Sequence, residues 1–109
     1  MNWLQTVSYF FGAAFLTNAV PHFVGGMMGE SFQTPFAKPS GKGLSSSTVN
    51  VLWALANFVF AYLLLLRVGR FDPRSMACIA PFAAGVLLLS LFSAWNFGQL
   101  HGGNASKGS

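Results

Sequence analysis

Three long apolar stretches separated by two polar connections make up nearly the whole chain. The first runs from Trp3 to about Gly25, with Gln5, Thr6, Ser8, Thr17, Asn18 and His22 as its polar interruptions. The second runs from about Thr48 to Arg67, with VNVLWALANFVFAYLLLL at its heart, and the third from Pro73 to about Gln99. Roughly 20 helical residues cross a hydrocarbon core about 30 Å thick, so each stretch is long enough to span one. The pattern predicts an all-α fold, an integral membrane bundle of three transmembrane helices over 3–25, 48–67 and 73–99 with a long first loop. It forms a single transmembrane domain over 1–101, followed by a flexible polar tail at 102–109.

Local signals refine these ends. The Ser45-Ser46-Ser47-Thr48 cluster offers N-cap hydroxyls to the second helix, and Gly69 is a C-terminal stop. Asp72 can cap the third helix, with Pro73 in its first turn. Pro81 removes a hydrogen bond to the Ala77 carbonyl and should bend that helix. Pro21 frees the Thr17 carbonyl in the same way if the first helix continues through it. The opening MNWLQTVSYFF lacks a basic n-region and its apolar run is too long for a signal peptide. The first span is therefore expected to stay uncleaved, Ala19 being only a weak cleavage position.

The connection from Gly29 to Ser47, GESFQTPFAKPSGKGLSSS, is long enough to be functional or disordered. Phe32, Pro35, Phe36 and Pro39 favour a stiff first half against the membrane surface, and the Gly/Ser-rich second half should be mobile. The connection VGRFDPRS is short and predicts that helices two and three are antiparallel neighbours. No internal repeat is present.

Composition strengthens the membrane reading. Hydrophobic residues are 53% of the chain and charged residues 7%, where a soluble domain has about a quarter charged. A core of this size could not hide twelve Phe and three Trp from water. The net charge of +4 forms no basic face, because Lys38, Lys42, Arg67, Arg70, Arg74 and Lys107 are scattered over loops and tail. That argues against nucleic acid as a partner. The tight arginine group tips the second loop towards the cytoplasm. Cys78 is alone, so no intrachain disulfide forms.

Several chemistries fall away. PSGKGLSSS contains Gly-Lys, but Phe36 stands where a phosphate loop needs its first glycine, and Gly43 where it needs Ser or Thr. Asn104-Ala105-Ser106 matches a glycosylation sequon, a match common by chance. No Cys/His spacing resembles a zinc site, and no span carries a carboxylate of the kind ion-coupled carriers use. Small four-span multidrug exporters of similar length place an acid in their first helix; this chain has neither that acid nor a fourth span.

Helix faces carry more. Asn50, Ala54, Asn57 and Ala61 share one face of helix two, the small and polar stripe expected of a packing seam between membrane helices. The matching stripes are Ser8, Gly12, Phe15, Ala19 and His22 on helix one, and Ala80, Ala83, Ser90 and Ala94 on helix three. Gly12, Ala54, Asn57, Ala61 and Ala83 are thus the expected helix-packing positions. Three spans also bring Asn50 and Trp53, Trp95, Asn96, Gln99 and His101, and loop residues Glu30 and Gln33 to the end where His22 lies. Asn18, His22, Glu30, Asn50 and His101 are the candidate ligand-binding residues.

The run NAVPHFVGGMMGESFQTPFAKPSGKGLSSSTVNVLW resembles a family of small, uncharacterised bacterial integral membrane proteins. The resemblance rests on Asn18, Pro21, His22, Gly25, Gly29, Phe32, Thr34, Pro35, Phe36, Gly43, Leu44, Ser45, Asn50 and Trp53, about a third of the chain. It implies membrane location, in the bacterial cytoplasmic membrane, and assigns no chemistry. The leading reading is an accessory or helix-packing subunit whose partners are the lipid bilayer and either its own copies or a larger membrane complex. The alternative is a polar site around His22 for a small molecule, whether a lipid, a quinone-like molecule or a haem. Imidazole ligates haem iron, but a second axial ligand would require His101 to fold inward. An enzyme with His22 as general base oriented by Glu30, and transport by an oligomer, are further alternatives with thinner support.

Overall fold

The computed structural model describes residues 2–103; the sequon and the tail at 104–109 lie outside the described residues. Three long helices dominate: α1 (Trp3–Met27), α2 (Ser47–Tyr62) and α3 (Met76–His101). A π-helical segment, Leu63–Val68, extends α2. Two short strands, β1 (Phe32–Gln33) and β2 (Leu44–Ser45), pair antiparallel within the first loop, Phe32 opposite Ser45.

Helices α1 and α2 begin where a capping side chain satisfies free N–H groups. At α1 the Asn2 side chain accepts from the Gln5 backbone N–H at 2.9 Å, and the Gln5 side chain accepts from the Asn2 backbone N–H at 3.2 Å. The hydroxyl of Ser46 caps α2 through Val49 at 3.2 Å. Helix α3 starts three residues later than its Asp-Pro signal suggested. Asp72 instead turns the chain, its carboxylate accepting from the Arg74 backbone N–H at 2.9 Å, and Ser75 occupies the N-cap position. Gly102, at φ +77°, closes α3 in the left-handed conformation that a side chain would oppose. Pro21 and Pro81 both lie inside continuous helix.

Helix α1 is the middle element. It packs on α2 and the π-helical segment along one side and on α3 along another, whereas α2 and α3 barely touch. The expectation that α2 and α3 are direct neighbours is therefore corrected. Small residues are the physical reason, because they let both helices approach α1 closely. A Cβ on Gly12 would lie 2.6 Å from Leu65 Cγ, one on Gly26 2.7 Å from the Ser47 carbonyl oxygen, and one on Gly85 2.5 Å from that of Phe10. The wider turns of the π segment carry Leu65 into the site opposite Gly12, which no local pattern in LLLLRV announced.

Buried positions on α1 are Ser8, Tyr9, Gly12, Ala13, Ala19, His22 and Gly26; on α2 they are Asn50, Ala54, Asn57 and Ala61. The expected seams on these two helices match that burial except at Phe15, which is half-buried. On α3 the expectation fails: Ala80, Ala83, Ser90 and Ala94 are exposed, and the packed face is Cys78 and Gly85 with the half-buried Phe82 and Phe97. Both faces of α3 hold small residues at helical spacing, so pattern alone could not choose between them. At the far end, Tyr9 donates a hydrogen bond to the Gly69 carbonyl and packs on Phe71, tying the short connection to α1.

Among the described residues, Ser47–Val68 and Met76–His101 are the two helices long and apolar enough to cross a membrane, each with mean hydropathy 2.1; α1 is less hydrophobic. Gly85→Val is expected to cost about 1–3 kcal/mol through overpacking against Phe10 and Ala13, while Ala83→Val should leave stability unchanged. Thermal unfolding of both variants in detergent checks the assignment of the α3 face.

Candidate functional site

The end of the molecule near Pro21 is organised by one amide. Asn50 is fully buried in the first turn of α2, and its Nδ2 donates to the carbonyls of Phe32 (3.1 Å), Ser45 (3.1 Å) and Ser46 (3.0 Å). With the nitrogen facing three carbonyls, Oδ1 must face His22, whose Nδ1 lies 2.7 Å away. An amide oxygen only accepts, so this network assigns the ring proton to Nδ1 of His22. Four chain segments thus meet at Asn50: α1, β1, β2 and the α2 cap.

Aromatic rings enclose the histidine, which is 2% exposed. Phe32 and Phe97 stand edge to face against it at 5.2 and 6.2 Å. Phe32 also packs on Phe97 at 4.7 Å and edge to face on His101 at 5.0 Å. His101 bonds through Nε2 to the side-chain oxygen of buried Gln33 at 2.6 Å. Both imidazoles therefore share Phe32 and Phe97 as neighbours without stacking on each other, and each has a protein partner. Among the described residues no group of three or more His, Cys, Asp or Glu could hold a metal ion.

The first loop is hydrogen-bonded in both halves, the Gly/Ser-rich part included. The Thr34 hydroxyl pairs with that of Ser45 and accepts from the Phe36 N–H at 3.2 Å. Gly41 N–H reaches the Thr34 carbonyl at 3.0 Å, and Gly43 packs too closely on the backbone of Lys38 to admit a side chain. Phe36 stands perpendicular to Trp53 at 5.1 Å, seating the loop on α2.

The five sequence candidates thus separate. His22 and Asn50 touch directly, and His101 joins them through shared aromatics. Asn18 lies one turn away and donates from Nδ2 to Oδ1 of Asn57 at 3.1 Å; Asn57 in turn donates to the Trp53 carbonyl at 2.8 Å. Glu30 is exposed, and its backbone N–H closes the turn onto Gly25 at 2.9 Å. Asn50, not Glu30, orients His22. Sequence reasoning missed Phe32 and Phe97 as walls of the site. The spacing of Phe97 from Ser93 and His101, four residues each way on α3, was the available signal.

Grooves flank the cluster. One of about 300 Å³ runs beside Pro21, Phe32, Ser93, Phe97 and His101. It shares Pro21 and Ser93 with a second groove of about 420 Å³ between α1 and α3, lined also by Thr17, Val86 and Ser90. A third, about 200 Å³, lies over Ala14, Asn18, Trp53 and Asn57. No protein-family model, no curated protein and no solved structure matches the chain significantly.

Asn50→Leu is expected to lose roughly 3 kcal/mol or more, because the His22 Nδ1–H donor and three carbonyl acceptors lose their partner at once. Asn50→Asp keeps an acceptor for His22 but donates nothing, so it should be comparably damaging. Proteolysis between 35 and 43, accelerated in both variants, reads out release of the loop.

Proposed function

We propose that the chain is an integral membrane protein of three spans acting by helix packing, as an accessory subunit of its own oligomer or of a larger complex in a bacterial cytoplasmic membrane. The observation that carries this is the inversion of burial. Buried positions on α1 and α2 are taken by Gly, Ala, Ser, Asn, His and Tyr, whereas Val20, Leu52, Leu66, Leu87, Leu91, Phe92 and Trp95 are all more than half exposed. Water would penalise that arrangement by about 25 cal/mol for each Å² of apolar surface left out, whereas hydrocarbon does not.

The lower hydropathy of α1 fits the same reading. A helix packed on both sides can carry polar residues if neighbours satisfy them, and Asn57 and Asn50 do so for Asn18 and His22. At 25 residues α1 is roughly 37 Å long, enough to span. The longest extent of the molecule, 46 Å, is close to the ~40–45 Å of a bilayer with its headgroups. Of the residues carrying the family resemblance, His22, Phe32, Thr34, Ser45 and Asn50 take part in the hydrogen bonds that tie the first loop to α1 and α2.

Cysteines placed at Lys42 and Arg70 in a Cys78→Ala background are expected to label from opposite faces of sealed vesicles, with the protein resistant to alkaline extraction. Labelling from one face removes the three-span reading. A lone monomer with no co-purifying partner in mild detergent removes the accessory reading.

A second reading, a lipid or quinone-like ligand, is favoured by the two grooves joined at Pro21 and Ser93, with His101 at one end. Ser93→Leu fills both. Mass spectrometry of protein extracted in native lipid should then show a bound small molecule lost from the variant.

A further inference from the structure

Helix α1 is packed by α2 and α3, and a trough remains between those two helices. Phe11, Ala14 and Asn18 of α1 form its floor, Trp53 and Asn57 of α2 one wall and Leu89 of α3 the other. Asn18 lies three residues, about 5 Å, from the midpoint of α1 and so near the middle of the span.

The hydrogen bonds around Asn18 are half complete. Asn57 donates from Nδ2 to the Trp53 carbonyl, which turns its oxygen towards Asn18 and fixes Asn18 as the donor in their pair. One Asn18 N–H is thereby used. Its second N–H and its Oδ1 have no hydrogen bond among the described residues, and no sealed side-chain nitrogen or oxygen there lacks a partner. The unused oxygen is therefore open to the trough. Acyl chains offer no donor to it, and water is absent at that depth.

We propose that a second copy of this chain covers the trough, with Asn18 of each copy hydrogen-bonded to Asn18 of the other across a two-fold axis; this rests on the three-span reading. An amide with one donor and one acceptor left over is complementary to itself, the property that a two-fold contact requires. All copies insert with the same orientation, so the axis lies along the membrane normal and brings residues of equal depth face to face. Ala14, one turn from Asn18, keeps the floor low enough for close approach of the partner helix.

The test is native mass spectrometry and single-molecule photobleaching of the full chain in lipid nanodiscs and vesicles. Wild type is expected to be dimeric. Asn18→Leu, close in volume, should weaken self-association roughly tenfold, the effect of two interhelical hydrogen bonds. It also strips Asn57 of its donor, so Ala14→Phe serves as the second variant, filling the trough with the Asn18–Asn57 pair intact, and should be monomeric. A wild-type monomer, a dimer indifferent to both variants, a dimer that cross-links through Cys at exposed Ala83 rather than Phe11, or association only with a different protein each overturns the proposal. The first three leave membrane insertion standing when the chain still resists alkaline extraction, and the last leaves the accessory reading standing. Failure to insert overturns the three-span reading and this proposal together.

Discussion

The side chain of Asn50 is the constraint on which the loop-one end depends. Fully buried, it closes four polar contacts, to His22, Phe32, Ser45 and Ser46. Each partner belongs to a different problem of the fold: a polar ring inside a helix pair, two strand backbones with few neighbours, and the start of a helix. A two-residue strand pairing has little stability of its own. Anchored at Asn50 and seated by Phe36 on Trp53, it becomes a fixed cover over the end of α1.

A second anchor stands at the opposite end, where Tyr9 holds the Gly69 carbonyl beside Leu65, Cys78 and Phe71. The first anchor is a side chain of α2 that holds the first loop and His22 of α1; the second is a side chain of α1 that holds the connection between α2 and α3. The central helix therefore fixes its neighbours at their ends by hydrogen bonds and along their lengths by small residues. This division suits a chain in which many large apolar side chains face outward, with Leu65, Phe15, Phe71 and Phe82 among those packed inside.

Much of this was legible in the sequence, and the failures have physical causes. The stripes Ser8–His22 and Asn50–Ala61 were readable because each helix presents one small, polar face against bulky surroundings. Helix α3 presents small residues on more than one face, so choosing Ala83 over Gly85 was a choice between equal patterns. The arrangement of α2 and α3 around α1 was hidden for a different reason: a short connection limits how far apart two helix ends lie, not whether a third helix sits between them. Convergence of His22, Asn50 and His101 follows from three helices joined in series, which return the end of α3 to the end of α1 and the start of α2. The amide geometry that pairs His22 with Asn50 and leaves Glu30 outside depended on the fold of the first loop, whose pairing across ten intervening residues leaves no local signature.

Three asparagines on facing helices show how satisfaction of hydrogen bonds separates structural from open groups. Asn50 uses its oxygen and shares its nitrogen among three carbonyls; it has nothing left to offer. Asn57 is equally buried and bonded on both sides. Asn18 alone of the three is partly exposed, with one bond made and an acceptor left over. Sequence cannot rank them, since all three are amides in apolar helices. Their difference arises because α2 turns its amides towards α1, whereas Asn18 lines the trough between α2 and α3. A polar group that the chain's own fold leaves with an acceptor to spare, set in an apolar trough, is the point at which the proposed two-fold contact would complete what folding leaves open.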